Sequence, residues 1–349
     1  MDKPETEKNA SSGNPIGRRS FLKLLVAAAA VLAGLKALDL ILPRRGEPET
    51  RTTTSASVST TTSAGTTPLP KGSVVVIVRG PMGVNPQLLV DKALEMLGGV
   101  EKLIPSGASL LVKPNLGFYE KDATTDPRVT SAVIRALKRT APTRVIVGDS
   151  SVRGNDVEYA LQVTGTRSAA EEAGAEVRDF RKDQAVTVNL PKGIAMNSVN
   201  VFKTVRDCSY IVNVPRLKRH SATVLTISLK NMMGTVTDSE KGRFHQVDLN
   251  QCIADLNSGV RPNLVIIDAT KIMTKRGPTG GIMVESNMII ASLDPVAADV
   301  IAAEELFRAE GINDLRGSVS RVEHIQRAAG LGVGVADRSK IEIIDVKIT

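Results

Sequence analysis

Residues 109–150 read SLLVKPNLGFYEKDATTDPRVTSAVIRALKRTAPTRVIVGDS, and their order sets the fold. Ser109–Val112 and Val145–Val147 are short, continuous apolar runs, the pattern of buried strands. Between them Asp126-Pro127 opens a segment with Val129, Val133, Ile134 and Leu137 at helical spacing. An aspartate there caps free amides, and proline fits a first helical turn that has no use for its N–H. Strands without polar alternation need cover on both faces. The fold class that follows is α/β: a largely parallel sheet with helices on both faces.

The same rhythm runs outward in both directions. Val74–Val78 is a β-branched strand, followed by Asn85-Pro86 and Leu88, Leu89, Ala93 and Leu97 at helical spacing. Asp294-Pro295 opens another helix, to about Arg308. The pattern predicts strands at Glu176–Phe180, Val186–Leu190, Val199–Val205, Tyr210–Asn213, Leu264–Ile267, Met288–Ala291 and Ile341–Val346. Helices are predicted over Asp156–Ala173, Leu249–Ser258 and Arg321–Ala329. Residues 176–205 break the alternation and read as a hairpin or small β-rich subdomain. With six Phe, three Tyr and no Trp, the core must be aliphatic.

The first 45 residues read as an address. Arg18-Arg19-Ser20-Phe21-Leu22-Lys23 fits the twin-arginine export pattern, and Leu24–Leu42 supplies the apolar stretch after it. Lys36 and Asp39 interrupt that stretch and no small-x-small cleavage site closes it, so a released protein and a membrane-anchored one are both open. Residues 46–70 form a Ser/Thr-rich linker: from Thr50 to Thr67, 13 of 18 residues are Ser or Thr, too polar to build a core. The α/β domain is expected over residues 71–349. Its 36 basic against 31 acidic residues leave a charge of about +5, too mild to argue for nucleic acid.

Cys208 and Cys252 are the chain's two cysteines, so four cysteine ligands for an iron–sulfur cluster cannot come from one chain. They pair outside the cytoplasm or pack as separate thiols.

In open parallel sheets ligands bind beyond the carboxyl ends of the strands. Lys113-Pro114-Asn115, Gly148-Asp149-Ser150, Asn213 to His220, and Asp268 all follow predicted strands. Val214–Gly234, VPRLKRHSATVLTISLKNMMG, contains Arg216, Lys218, Arg219, His220 and Lys230 and no acid. A strand ending near Val214 delivers Lys218 and His220 to the rim, and an apolar return through Val224–Met233 brings Lys230 and Asn231. Lys271–Gly281, KIMTKRGPTGG, is either an anion-holding loop, through Gly277, Gly280 and Gly281, or a mobile surface turn. Asp126 and Asp294 read as helix caps, and Asp299 as a residue on an exposed helix face. No recognised metal spacing joins His220 and His245, and no metal is assigned, although two histidines with Asp149 or Asp268 leave a metal ion open.

These residues resemble the family known as domain of unknown function 362. The similarity lies in Lys113-Pro114-Asn115, Thr125-Asp126-Pro127, Gly148-Asp149-Ser150, Asn213-x-Pro215-x-x-Lys218-x-His220, Ser228-x-Lys230-Asn231-x-x-Gly234, Gly277-Pro278 and Ser292-x-Asp294-Pro295-Val296-Ala297-x-Asp299. Arg216 stands where lysine is expected. The resemblance implies an α/β domain; many members look like partners of iron–sulfur modules, and some carry a cysteine-rich ferredoxin-like segment that this chain lacks. It therefore leaves an iron–sulfur redox partner open, with no intrinsic cluster. A more distant similarity to nickel-cofactor-dependent 2-hydroxy-acid racemases lies in the Lys-x-His and Lys-Asn segments, and no residue is carried over from it.

Two functions fit. In the first, an exported enzyme acts on a small carboxylate or phosphate: Lys113, Lys218 and Lys230 hold and polarise it, His220 transfers protons, and Asp149 or Asp268 orients the histidine or a cofactor, with Asn115, Asn213, Asn231 and the glycines as further ligand contacts. In the second, the same cleft belongs to a non-catalytic binding or redox-partner protein at the outer membrane face. Nucleic acid is not expected, since the sparse aromatics offer no stacking platform.

Overall fold

The structure is a computed structural model and describes residues 73–349. The twin-arginine pattern, the apolar stretch after it and the Ser/Thr-rich run lie outside those residues.

Among the described residues twelve strands form: β1 (Ser73–Arg79), β2 (Ser109–Pro114), β3 (Arg144–Asp149), β4 (Glu176–Asp179), β5 (Ala185–Asn189), β6 (Ser198–Phe202), β7 (Tyr210–Val214), β8 (Arg216–His220), β9 (Val224–Thr226), β10 (Leu264–Thr274), β11 (Ile282–Ser292) and β12 (Ile341–Lys347). The main sheet runs β12-β1-β11-β10-β7-β2-β3-β4, with β8 and β9 branching from β10. It is parallel except where β11 lies antiparallel between β1 and β10, and where β9 folds back on β8. Hydrogen-bonded in register, β5 and β6 make a separate antiparallel ribbon, while β4 joins the main sheet; the expected β-rich subdomain is thus this ribbon alone.

The helices used below are α1 (Pro86–Met96), α2 (Pro127–Lys138), α3 (Val157–Thr164), α4 (Thr166–Glu172), α5 (Ser228–Asn231), α6 (Asp238–Val247), α7 (Leu249–Gly259), α8 (Pro295–Ala309) and α9 (Glu323–Gly330). Because strand side chains alternate, β1 sends Val76 and Val78 to one core with α1, α2 and α4, and Val75 and Ile77 to the other with α7, α8 and α9. Both faces of the sheet are covered, as continuous apolar strands require.

The Asx-Pro starts behave as caps. Asn85 accepts from the Gln87 amide at 3.0 Å, Asp126 from Arg128 at 2.8 Å, and Asp294 from Val296 and Ala297 at 2.9 and 3.0 Å. Other expectations are corrected. The helix expected over Asp156–Ala173 divides at Gly165, whose left-handed φ of +82° terminates α3. The strand expected through Val205 ends at Phe202, and Lys203–Asp207 turns helical. Val224–Met233 is a short strand followed by a helical turn rather than one returning segment. Asp299 is fully buried, not exposed: its carboxylate accepts the Ser228 and Leu229 amides at 2.8 and 3.0 Å, so one turn of α8 anchors the start of α5. Cys208 and Cys252 are buried and unpaired.

Gly148 sits one residue before the carboxyl end of β3 and under Phe180, where an added Cβ meets the ring at 2.2 Å. Since Phe180 is fully buried, it has no free space to move into. Gly148→Ala is expected to lower stability by about 1–3 kcal/mol through overpacking, read as a lower urea midpoint with unchanged slope.

Candidate functional site

The parallel strands β2, β3 and β7 end on one rim, and their last residues carry the polar groups. Lys113 at the end of β2 is fully buried and its Nζ donates to Asp149 Oδ2 at 2.6 Å and to the Pro114 carbonyl at 3.1 Å. Asp149, at the end of β3, also accepts the Ser151 amide at 2.7 Å. Burial lowers the lysine's affinity for its proton, and the aspartate charge opposes that shift. Gly234, after α5, lets the chain cross directly over this pair, because a Cβ there lies 2.5 Å from Asp149 Oδ1 and 2.6 Å from Lys113 Nζ.

Beside the pair runs a chain of three asparagine amides. Asn213 Nδ2 donates to the Ser228 carbonyl at 2.9 Å, and its Oδ1 accepts from Asn231 Nδ2 at 2.7 Å. Asn231 Oδ1 in turn accepts from Asn115 Nδ2 at 2.8 Å. A carbonyl only accepts, so Ser228 fixes the direction of the whole chain. Asn115 Oδ1, at its far end, has no partner among the described residues.

The β8–β9 hairpin brings in the basic stretch. Lys218 is buried, donates to the Ala123 carbonyl, and lies with its Nζ 5.1 Å from the centre of the Phe118 ring. Lys230, on α5, has Met233 Sδ at 3.6 Å as its Nζ contact. No carboxylate is hydrogen-bonded to either ammonium among the described residues. Burial, with Lys230 and Arg216 nearby, pushes Lys218 well below the usual lysine range, and burial pushes Lys230 down to about 8. His220 Nδ1 accepts the Ala222 amide at 3.0 Å, which leaves Nε2 as the protonated nitrogen of the neutral ring. Burial and the adjacent Lys230 and Lys218 hold its pKa down to about 2. The site therefore presents a neutral N–H donor there, not an imidazolium.

Together these groups line a cavity of about 360 Å³, whose wall includes Asn115, Phe118, Asp149, Lys218, His220, Thr226, Lys230, Asn231, Lys241 and His245. The Thr226 hydroxyl is buried without a partner among the described residues. Lys241, on α6, donates to the Ser150 and Ser151 carbonyls and to Asp238. Its position follows from α6 packing over the β3 rim, and nothing in the polar segment Asp238–Val247 signals it.

Of the residues singled out in the sequence, Asp149, Lys218, His220, Lys230, Asn115 and Asn231 meet in this wall. Lys113 and Asn213 stand one layer behind it, holding Asp149 and Asn231. Asp268 does not join them. It is buried in a separate ion pair with Arg216 at 2.5 Å, and also accepts the Asp126 amide at 2.8 Å and the Thr270 hydroxyl at 2.6 Å. It is committed there and does not orient His220. The glycines of Lys271–Gly281 are not in the wall either, although Pro278 is. That segment turns the long β10–β11 hairpin, and a Cβ at Gly277 meets the Arg219 carbonyl at 2.0 Å and one at Gly281 the Arg276 carbonyl at 2.2 Å. Close backbone approach is what the structure shows for Gly277 and Gly281, while Gly280 takes a left-handed φ of +65°. Two of the segment's cations are also occupied, with Lys275 Nζ on the Glu310 carbonyl and Lys271 paired with Glu285. Among the described residues no three His, Cys, Asp or Glu side chains are placed to hold a metal ion.

A thylakoid-associated protein of Synechocystis sp. is 26% identical over 222 residues, 61% of this chain and 67% of that one. In structure the chain is similar to a Thermotoga maritima protein, with a TM-score of 0.40 and 12% identity over 66% of this chain and 60% of the other. It is also similar to the lactate racemase apoprotein of Thermoanaerobacterium thermosaccharolyticum, with a TM-score of 0.39 and 9% identity over 78% of this chain and 83% of the other. Residues 110–304, which hold every wall residue of the cavity, match the domain of unknown function DUF362, and the chain belongs to that family.

Proposed function

We propose that the cavity binds a small anion, carboxylate or phosphate, and that the protein is an enzyme acting on it. One observation carries this reading: Lys218 and Lys230 face a common cavity with no carboxylate bonded to either. Lys218 is buried and Lys230 half-buried, and cations so placed without counter-charge are disfavoured, so the arrangement makes sense when a ligand supplies the missing negative charge. His220 Nε2 then donates to the ligand, and the arriving anion raises the imidazole pKa toward the range where it can exchange a proton. The twin-arginine pattern supports export in folded form. The thylakoid-associated relative supports a membrane-related location, and none of the described helices is long and apolar enough to cross a membrane.

The test is the pH dependence of anion affinity. Lys230 carries its proton below about pH 8 and loses it above. Binding of inorganic phosphate or a short carboxylate is therefore expected to hold steady below pH 8 and weaken above it, with a limiting slope of about one decade per pH unit for one required proton. Binding should also take up protons, seen in calorimetry as an enthalpy that changes with buffer ionisation heat. Affinity that is flat from pH 7 to 9 in Lys230-containing protein sinks the reading.

A further inference from the structure

Four lysines surround the cavity, and three of them have oxygen partners. Lys113 has Asp149 and the Pro114 carbonyl, Lys218 the Ala123 carbonyl, and Lys241 two carbonyls and Asp238. Lys230 has none among the described residues: its Nζ contact is a thioether sulfur, a weak acceptor. The side chain is half-buried, so its Nζ is reachable from the cavity, and the lack of a protein oxygen beside it favours the amine over the charged form relative to the other three. Lys230 lies in the same wall as Lys218, whose own Nζ is taken by the Ala123 carbonyl.

We propose that Lys230 is a Schiff-base lysine, its amine condensing with the carbonyl of a small oxo-anion whose charged end is held by the other cations of the wall. This rests on the anion-pocket reading and adds the substrate class: oxo-carboxylates or oxo-phosphates. The Nζ lone pair forms a C–N bond to the carbonyl carbon as the C=O π pair moves to oxygen, which takes a proton from the nitrogen to give a carbinolamine. A second proton, from solvent or a wall donor, lets that oxygen leave as water while the nitrogen lone pair closes the C=N bond. The product is a protonated imine, so the positive charge returns to the position where the anion needs it. With a pKa of about 8, about one Lys230 in ten is a free amine at pH 7, enough to start the reaction.

Full-length protein is incubated at pH 7 with pyruvate or dihydroxyacetone phosphate and reduced with borohydride, and the adducts are mapped by peptide mass spectrometry. The expected result is an adduct at Lys230 at least tenfold above that at exposed Lys182 and Lys340. It is competed away by propanoate or inorganic phosphate and absent in Lys230→Arg. Label spread evenly over surface lysines, or wall label that persists at Lys218 or Lys241 in Lys230→Arg, overturns the proposal. Calorimetric binding of both probes without an adduct overturns the Schiff base and leaves the anion pocket standing. No binding by either probe or by the carbonyl-free competitors overturns both.

Discussion

Asp149→Ala is expected to lower folding stability by about 3–5 kcal/mol, the largest effect of a single change at the rim. The substitution leaves the Lys113 ammonium, with no solvent exposure, beside one carbonyl and no counter-charge. It also frees the Ser151 amide that Asp149 holds at 2.7 Å. Part of the loss is relieved if Lys113 gives up its proton, toward which burial already biases it, so the variant should regain stability as pH rises from 7 to 10. The sign follows from proton counting: a native state holding fewer lysine protons than the unfolded chain gains stability with pH. Lys113→Met with Asp149→Ala should recover more than half of the loss, because the stranded charge is gone. Urea unfolding of the two singles and the double supplies the cycle. A single-variant loss below about 1 kcal/mol shows that the pair is not the buried strut described here.

Lys218→Met is expected to act in opposite directions on binding and on stability. It removes a charge the anion needs, at about 2–4 kcal/mol or roughly 30- to 1,000-fold in affinity. Without a ligand the Lys218 amine is buried with no carboxylate to favour its charged form, and methionine fills similar volume beside Phe118. Stability should therefore stay level or rise by about 1 kcal/mol, offset by the Ala123 carbonyl left without its donor. Weaker binding with an unchanged or higher melting temperature marks a residue kept for its ligand. A variant that unfolds easily yet binds phosphate normally assigns Lys218 to the scaffold instead.

The corrections at the site share a cause. Asp268 looked available for a ligand or histidine, yet Arg216 neutralises it, because β8 and β10 lie side by side with Arg216 and Asp268 in register. The exposed face expected for Asp299 came from reading α8 as an isolated helix, whereas α5 packs on that face and its first amides need an acceptor. Gly277 and Gly281 resembled an anion loop by composition, but the hairpin needs them where backbone meets backbone. In each case the partner is remote in the chain.

What the sequence by itself determined is local: short apolar strands, helical periods, and Asx-Pro caps whose hydrogen bonds reach two or three residues along the backbone. Those signals were enough for the α/β class and for most strand positions, and the rule that loops converge beyond parallel strand ends placed Lys113, Asp149 and Lys218 near one another. Tertiary structure alone decided which charges are spent on each other and which are left for a ligand. Lys113 and Asp149 are 36 residues apart and Arg216 and Asp268 are 52 apart, and no local pattern encodes such pairings. Electrostatic energy depends on distance and burial in space, so two lysines alike in sequence, Lys113 and Lys230, become a satisfied strut and a cation with no oxygen beside it.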